Sequence, residues 1–202
     1  MASDERRSHW NLKYEQGLPS LEKPDPFFLS AFSEFVADQF PKGGRALDLA
    51  GGIGRHALWL AKRKWQVTVV DISEVAIRKL DQKARQLDLK SDLLALDAAK
   101  YKFESTHFDL IVLYYHFDRD ICPKILSALK PGGFVICKSS LSWNPDGGFA
   151  PISINPLERN EILSMFPALR VIHHQERPVR CRGVVEHVGK RPESVRKMRV
   201  GI

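Results

Sequence analysis

The sequence predicts an α/β fold, a doubly wound, seven-stranded, mainly parallel sheet with an antiparallel strand at its C-terminal end. Three observations carry this. From Arg45 onward, short apolar or β-branched runs alternate with segments of helical periodicity, the order that parallel crossovers require. A glycine-rich turn, Gly51-Gly52-Ile53-Gly54, joins the first run to the first helix. The last two runs follow one another with no helix between them, as in a hairpin.

Ahead of the sheet, Trp10 and Tyr14 stand at i and i+4, and Pro19, Pro24 and Pro26 forbid a long regular helix. Residues 1–26 therefore read as a short helix and an extended crossing segment, placed like a lid. Between residues 27 and 40 the apolar residues Phe28, Ala31, Phe32, Phe35, Val36 and Phe40 keep helical spacing until Pro41, Gly43 and Gly44 end it. A strand over 45–50 leads into the glycine turn and a helix from Arg55. The run 66–70 ends in Asp71, and Ser73 is placed to cap a helix reaching about Leu89. A third strand, 92–96, ends in Asp97. The fourth, 108–114, is almost wholly apolar, as a strand covered on both faces should be. A helix over 118–129, the turn Lys130-Pro131-Gly132-Gly133 and a fifth strand over 134–138 follow. Residues 142–156 form a long turn-rich connection of the kind that borders a site. A helix over 158–166 and strands over 169–173 and 184–188 complete a single domain of residues 1–189, with 190–202 as a basic tail.

Composition narrows the function. Apolar content of 44% and charged content of 27% are ordinary for a soluble enzyme. No apolar run is long enough to span a bilayer, and MASDERRSHW lacks a signal-type apolar core, so a cytoplasmic location and no membrane partner are expected. Cys122, Cys137 and Cys181 are scattered without ligand spacing, so no metal site is expected. The formal charge of +7 gathers toward the C-terminus, in Arg177, Arg180, Arg182, Lys190, Arg191, Arg196, Lys197 and Arg199, a pattern more typical of a solvated tail than of a nucleic-acid surface.

In a doubly wound sheet, ligands lie beyond the carboxyl ends of the strands, where the strand order reverses. Asp48 with the glycines, Asp71, Asp97, and Tyr114 to His116 all fall there. Two cofactors compete for this crevice. Gly52-x-Gly54-x-x-Ala57 satisfies a dinucleotide pattern, with Asp71 near the position of a ribose-binding acid. Asp48 opposes that reading, because a carboxylate about 5 Å from a pyrophosphate costs roughly 3 kcal/mol per charge pair at an effective dielectric near 20. The same carboxylate suits a cationic ligand.

The pattern Asp48-x-Ala50-x-Gly52-x-Gly54 resembles the D/E-x-G-x-G-x-G motif of class I S-adenosylmethionine-dependent methyltransferases, with Ala50 replacing the first glycine. Val70-Asp71-Ile72-Ser73, Leu96-Asp97-Ala98 and Leu129-Lys130-Pro131-Gly132-Gly133 resemble the later motifs in order. Trp10 with Tyr14, the Gly52 to Arg55 turn, and Tyr114 to Arg119 are similar to small bacterial tellurite-resistance-type methyltransferases. The resemblance implies a Rossmann-like fold and S-adenosylmethionine as cofactor. It places the methionine end on Asp48 and the backbone of Ala50, Gly51, Gly52 and Gly54, with Arg55 on the carboxylate. It puts the ribose on Asp71, the adenine on Ile72, Asp97 and Ala98, and lets Tyr114 complete the pocket, while Trp10 and Tyr14 either close a lid over the methionine or staple the N-terminus to the domain.

Acceptor signatures are sparser. The Asn/Asp-Pro-Pro-aromatic tetrad of nucleic-acid amino-methylating enzymes is replaced by Tyr115-His116-Phe117, and Cys122-Pro123 reverses the Pro-Cys of cytosine-carbon enzymes. A small-molecule acceptor is expected, by resemblance a soft chalcogen or thiol-like nucleophile. His116 is the candidate proton acceptor at the sheet end, since an imidazole titrates near neutrality. Trp143 and Phe149 are candidates for lining the acceptor pocket. Other readings are an RNA or protein methyltransferase using the basic C-terminal segment, a non-catalytic S-adenosylmethionine-binding module, and an NAD-dependent oxidoreductase.

Overall fold

The computed structural model describes residues 3–17, 22–142, 155–179 and 182–193. Strands β1 (Arg45–Leu49), β2 (Gln66–Asp71), β3 (Ser91–Ala95), β4 (Phe108–Tyr114), β5 (Leu129–Leu141), β6 (Arg170–Val179) and β7 (Arg182–Lys190) form one seven-stranded sheet. Their order is β3-β2-β1-β4-β5-β7-β6. Strands β1 to β5 pair in parallel, and β7 runs antiparallel between β5 and β6. The order reverses between β1 and β4, so the crevice opens beyond Leu49, Asp71 and Tyr114.

Helices α1 (Ser3–Gln16), α2 (Pro26–Ala31), α3 (Arg55–Ala61), α4 (Glu74–Gln86), α5 (Cys122–Ala128) and α6 (Glu161–Met165) cover the sheet. The two-residue period of the strands splits the core. Leu47, Leu49, Ile111 and Leu113 pack with Ile125, Ile162 and Phe166 on the α5–α6 side. Ala46, Val69, Leu110 and Val112 pack with Phe28, Leu60 and Leu80 on the α2–α4 side. Helix α1 lies outside these layers, where Trp10 and Tyr14 meet Ile53, Val75 and Ala76.

Several boundaries differ from the sequence reading, each for a local reason. The helical run expected over 27–40 is divided into α2, a π turn at Phe32–Val36 and a 3-10 turn at Ala37–Gln39. Its start is fixed by Asp25, which accepts from Phe27 N–H, and by Pro26 in the first turn. Helix α6 starts later than residue 158 because Asn160, at φ +60°, breaks the helical path. Strands β6 and β7 run beyond their apolar centres because charged residues along them pair, as Arg177 does with Glu186. Strand β7 passes residue 189, and Arg191 exchanges backbone hydrogen bonds with Gly132 and Gly133. Among the described residues no helix is long and apolar enough to cross a membrane.

Candidate active site

The turn after β1 is built from left-handed backbone. Ala50, Gly52 and Gly54 have φ of +53°, +57° and +75°. At Gly52 glycine is required twice over, because a Cβ there would also collide with the Tyr14 hydroxyl. Ala50 adopts the same conformation with a methyl group, at a steric cost that glycine avoids. Ala50→Gly is therefore expected to raise stability by about 0.5–1 kcal/mol, after the added freedom of the unfolded chain is subtracted. A urea titration reads this as a higher midpoint with an unchanged slope.

Asp48 points from β1 to the face shared with Ala46 and is 1% exposed. Its Oδ2 is buried with no hydrogen-bond partner among the described residues. Burial lifts its carboxyl to about 7, opposed by the nearby Arg55 guanidinium and reinforced by Asp71. Arg55, half-buried at the start of α3, has its guanidinium 5.5 Å from the Tyr114 ring centroid and forms no ion pair among the described residues. An orphaned carboxylate oxygen and an unpaired guanidinium thus share the glycine turn. Together they match the two ends of an α-amino acid zwitterion.

Asp71 ties the two neighbouring turns together. Its Oδ2 accepts from Gly52 N–H and its Oδ1 from Ser73 N–H, both at 2.8 Å. Burial raises its pKa, against those two hydrogen bonds. Each oxygen keeps a lone pair for a ligand hydroxyl. Ser73 caps α4 by accepting from Ala76 N–H at 3.1 Å, and Ile72 beside it is half-buried.

Asp97 caps the 3-10 turn Ala98–Lys100 through Ala99 N–H. Its other oxygen accepts from Ser3 Oγ and Arg6 Nη2 of α1, each at 2.8 Å. His116 lies close by. Burial lowers its pKa, so the imidazole is neutral near pH 7, and its Nε2 is buried with no partner among the described residues. Tyr115 before it sits at φ +57°, strained for a bulky side chain and held by its N–H bonding to Lys138 O.

Tyr114 is buried against Phe28 and His56, and its hydroxyl has no partner among the described residues. His56 accepts from Asp25 N–H at 3.3 Å, and burial keeps it neutral. Its ring packs on Phe28 and Tyr114. The structure thus gathers Asp48, Ala50, Gly51, Gly52, Gly54, Arg55, Asp71, Tyr114 and Tyr14 around one turn, and brings His116, after β4, near Asp97 and Ala98, after β3. Trp143 and Phe149 lie outside the described residues.

One feature escaped sequence reasoning. Lys138 Nζ bonds both oxygens of Asp25 and Oε1 of Glu186 at 3.0–3.1 Å, and Arg177 clamps Glu186 with two hydrogen bonds. This closed network joins the segment before α2 to β5, β6 and β7. Its signal was a charge inside apolar strand sequence, Lys138 after FVIC and Glu186 within VVEHV.

Residues 46–133 match the family model of a methyltransferase domain. The seven-stranded architecture is the Rossmann-like methyltransferase fold. The chain is similar to magnesium protoporphyrin IX methyltransferase from Synechocystis PCC 6803 with bound SAH, at 14% identity, 94% coverage of this chain, 99% of that chain and a TM-score of 0.70. It is also similar to 1,6-didemethyltoxoflavin-N1-methyltransferase from Burkholderia thailandensis, at 16%, 96%, 92% and 0.68 in the same order. TehB from Haemophilus influenzae follows at 19% and 0.66, with 77% of this chain covering 60% of that one. No curated protein matches the chain. The matched span, 46–133, contains every glycine-turn residue together with Asp71, Asp97 and His116.

Proposed function

We propose that this chain is an S-adenosylmethionine-dependent methyltransferase acting on a small molecule. The observation that carries this reading is the juxtaposition, at a methyltransferase-type turn, of Asp48 Oδ2 without a hydrogen-bond partner and Arg55 without an ion pair among the described residues. Asp48 receives the methionine ammonium and Arg55 its carboxylate, against the backbone of Ala50, Gly51, Gly52 and Gly54. Asp71 accepts from the ribose hydroxyls, Ile72 flanks the adenine, and Asp97 with the Ala98 backbone meets its edge. Tyr114 closes the floor, while Trp10 and Tyr14 cover the top. The same buried carboxylate disfavours a pyrophosphate, and hence the NAD-dependent reading.

Bound S-adenosylmethionine supplies an electrophilic methyl group on a sulfonium. The protein's part is alignment, with a base only where the acceptor is protonated. His116, neutral near pH 7, is positioned to take that proton at Nε2. His116→Ala is expected to lower kcat by about a hundredfold or more with a protonated acceptor. Unchanged turnover of the variant from pH 6 to 9 removes His116 from that role.

Support for a small acceptor comes from the porphyrin and toxoflavin methyltransferases of the same fold. The narrower reading, a soft chalcogen or thiol-like acceptor, has its support in the likeness to TehB. Calorimetry with S-adenosylmethionine, NAD and NADP tests the cofactor, and binding of NAD alone overturns the proposal. An acceptor screen read by release of S-adenosylhomocysteine then identifies the substrate.

A further inference from the structure

Helix α1 is held to the body mainly by polar contacts, and the acid it engages most closely is Asp97. Of its 14 residues only Tyr14 is buried, and Leu12 is 55% exposed. Ser3 Oγ and Arg6 Nη2 both donate to Asp97 Oδ2 at 2.8 Å. With Ala99 N–H on Oδ1, both oxygens of this carboxylate are engaged from within the chain. Farther along α1, Asn11 Oδ1 accepts from Ser73 Oγ at 2.7 Å, and the Tyr14 hydroxyl rests on Gly52. The helix therefore spans the strand ends of β1, β2 and β3, which are the places assigned to the cofactor.

The closure at Asp97 is imperfect. Arg6 Nε is buried without a hydrogen-bond partner among the described residues. A buried N–H left unpaired loses the hydrogen bond it makes in water, so this arrangement weakens itself. The side-chain exposures of Arg6 and Asp97, 35% and 7%, place the cation at the rim and the carboxylate inside. The outer member can thus leave for solvent while the acid stays in place for another donor.

We infer that Ser3 and Arg6 form an internal latch that occupies the nucleoside side of the crevice and must release Asp97 before S-adenosylmethionine binds. This rests on the cofactor reading above. The latch and the ligand are alternative donors to one carboxylate, so the free protein is divided between a closed form and a binding-competent one. The apparent affinity is then reduced by the fraction that is competent. Asn11 and Tyr14 touch other strand ends, so release at Ser3 and Arg6 detaches the start of α1 from Asp97 while leaving the rest of the helix its own contacts.

The test uses the full chain, Ser3→Ala/Arg6→Ala, and S-adenosylhomocysteine as the probe. Calorimetry should give about tenfold tighter binding for the double variant, and stopped-flow mixing a faster association rate. Amide exchange in the free proteins should rise over residues 3–6 of the variant, and in wild type it should rise there when the probe is added. Arg6→Lys, which keeps the charge but loses the planar fork, should fall between the two. Unchanged or weaker binding by the double variant, in a protein whose wild type binds the probe, overturns the latch alone. No binding by either protein overturns the cofactor reading and the latch with it.

Discussion

Asp48→Asn should bind S-adenosylmethionine about a hundredfold or more weakly while making the free protein more stable. Losing one partner of a desolvated charge pair costs about 2–5 kcal/mol of binding. The stability change runs the other way because the folded state raises the carboxyl from 3.8 to about 7. Between those values the folded protein holds a proton that the unfolded chain has released, so Asp48 removes stability as pH rises through this window. An uncharged amide has no such dependence. The gap in favour of the variant should widen by about 2–3 kcal/mol from pH 5 to pH 8. Urea denaturation at both pH values checks one half and calorimetry the other. A residue that only braced the turn would lose stability and binding together; opposite signs identify a group kept ionisable for a ligand. If Asp48→Asn binds as wild type does, the ammonium is held elsewhere.

Most strand positions were legible because short apolar or β-branched runs mark β1, β2 and β4, the last covered on both faces. Asp48, Asp71 and Asp97 stood out against them for the same reason. The replacement of a motif glycine by Ala50 was also readable, and the left-handed φ of +53° gives it a physical consequence. The ends of β6 and β7 were not readable. There Glu176, Arg177 and Glu186 stand in the strands, and their pairing depends on partners elsewhere in the chain. The contacts of Ser3 and Arg6 with Asp97 join residues more than ninety positions apart. No local period encodes such a contact. Asp71 was legible as a ribose acid, but its bonds to Gly52 and Ser73, which brace the two turns and leave lone pairs for a ligand, were not.

His187→Leu should make the protein more stable, and increasingly so as the pH falls. His187 lies in β7 beside Cys137 of β5 and opposite His174 of β6, whose ring centroid is 5.5 Å away. It is 1% exposed, and neither ring nitrogen has a partner among the described residues. Glu176, the acid nearest this pair, is 3.6 Å from His174 Nε2 and also accepts from Arg159 and the Asn160 N–H, so it does not neutralise His187. Burial therefore lowers His187 from 6.5 to about 4, with His174 and His173 adding to the effect. Between those values the unfolded chain binds a proton that the folded protein refuses, so stability is lost as pH drops from 6.5 toward 4. At pH 5 this amounts to about 2 kcal/mol, which leucine restores. The slope opposes that of Asp48 over the same range, and His56, also held neutral by burial, adds to the His187 side. Asp48→Asn should consequently steepen the rise of stability with pH, and His187→Leu should reduce it. Denaturation midpoints at pH 5 and pH 7 decide the matter: equal gains at both mean that His187 does not titrate in this window.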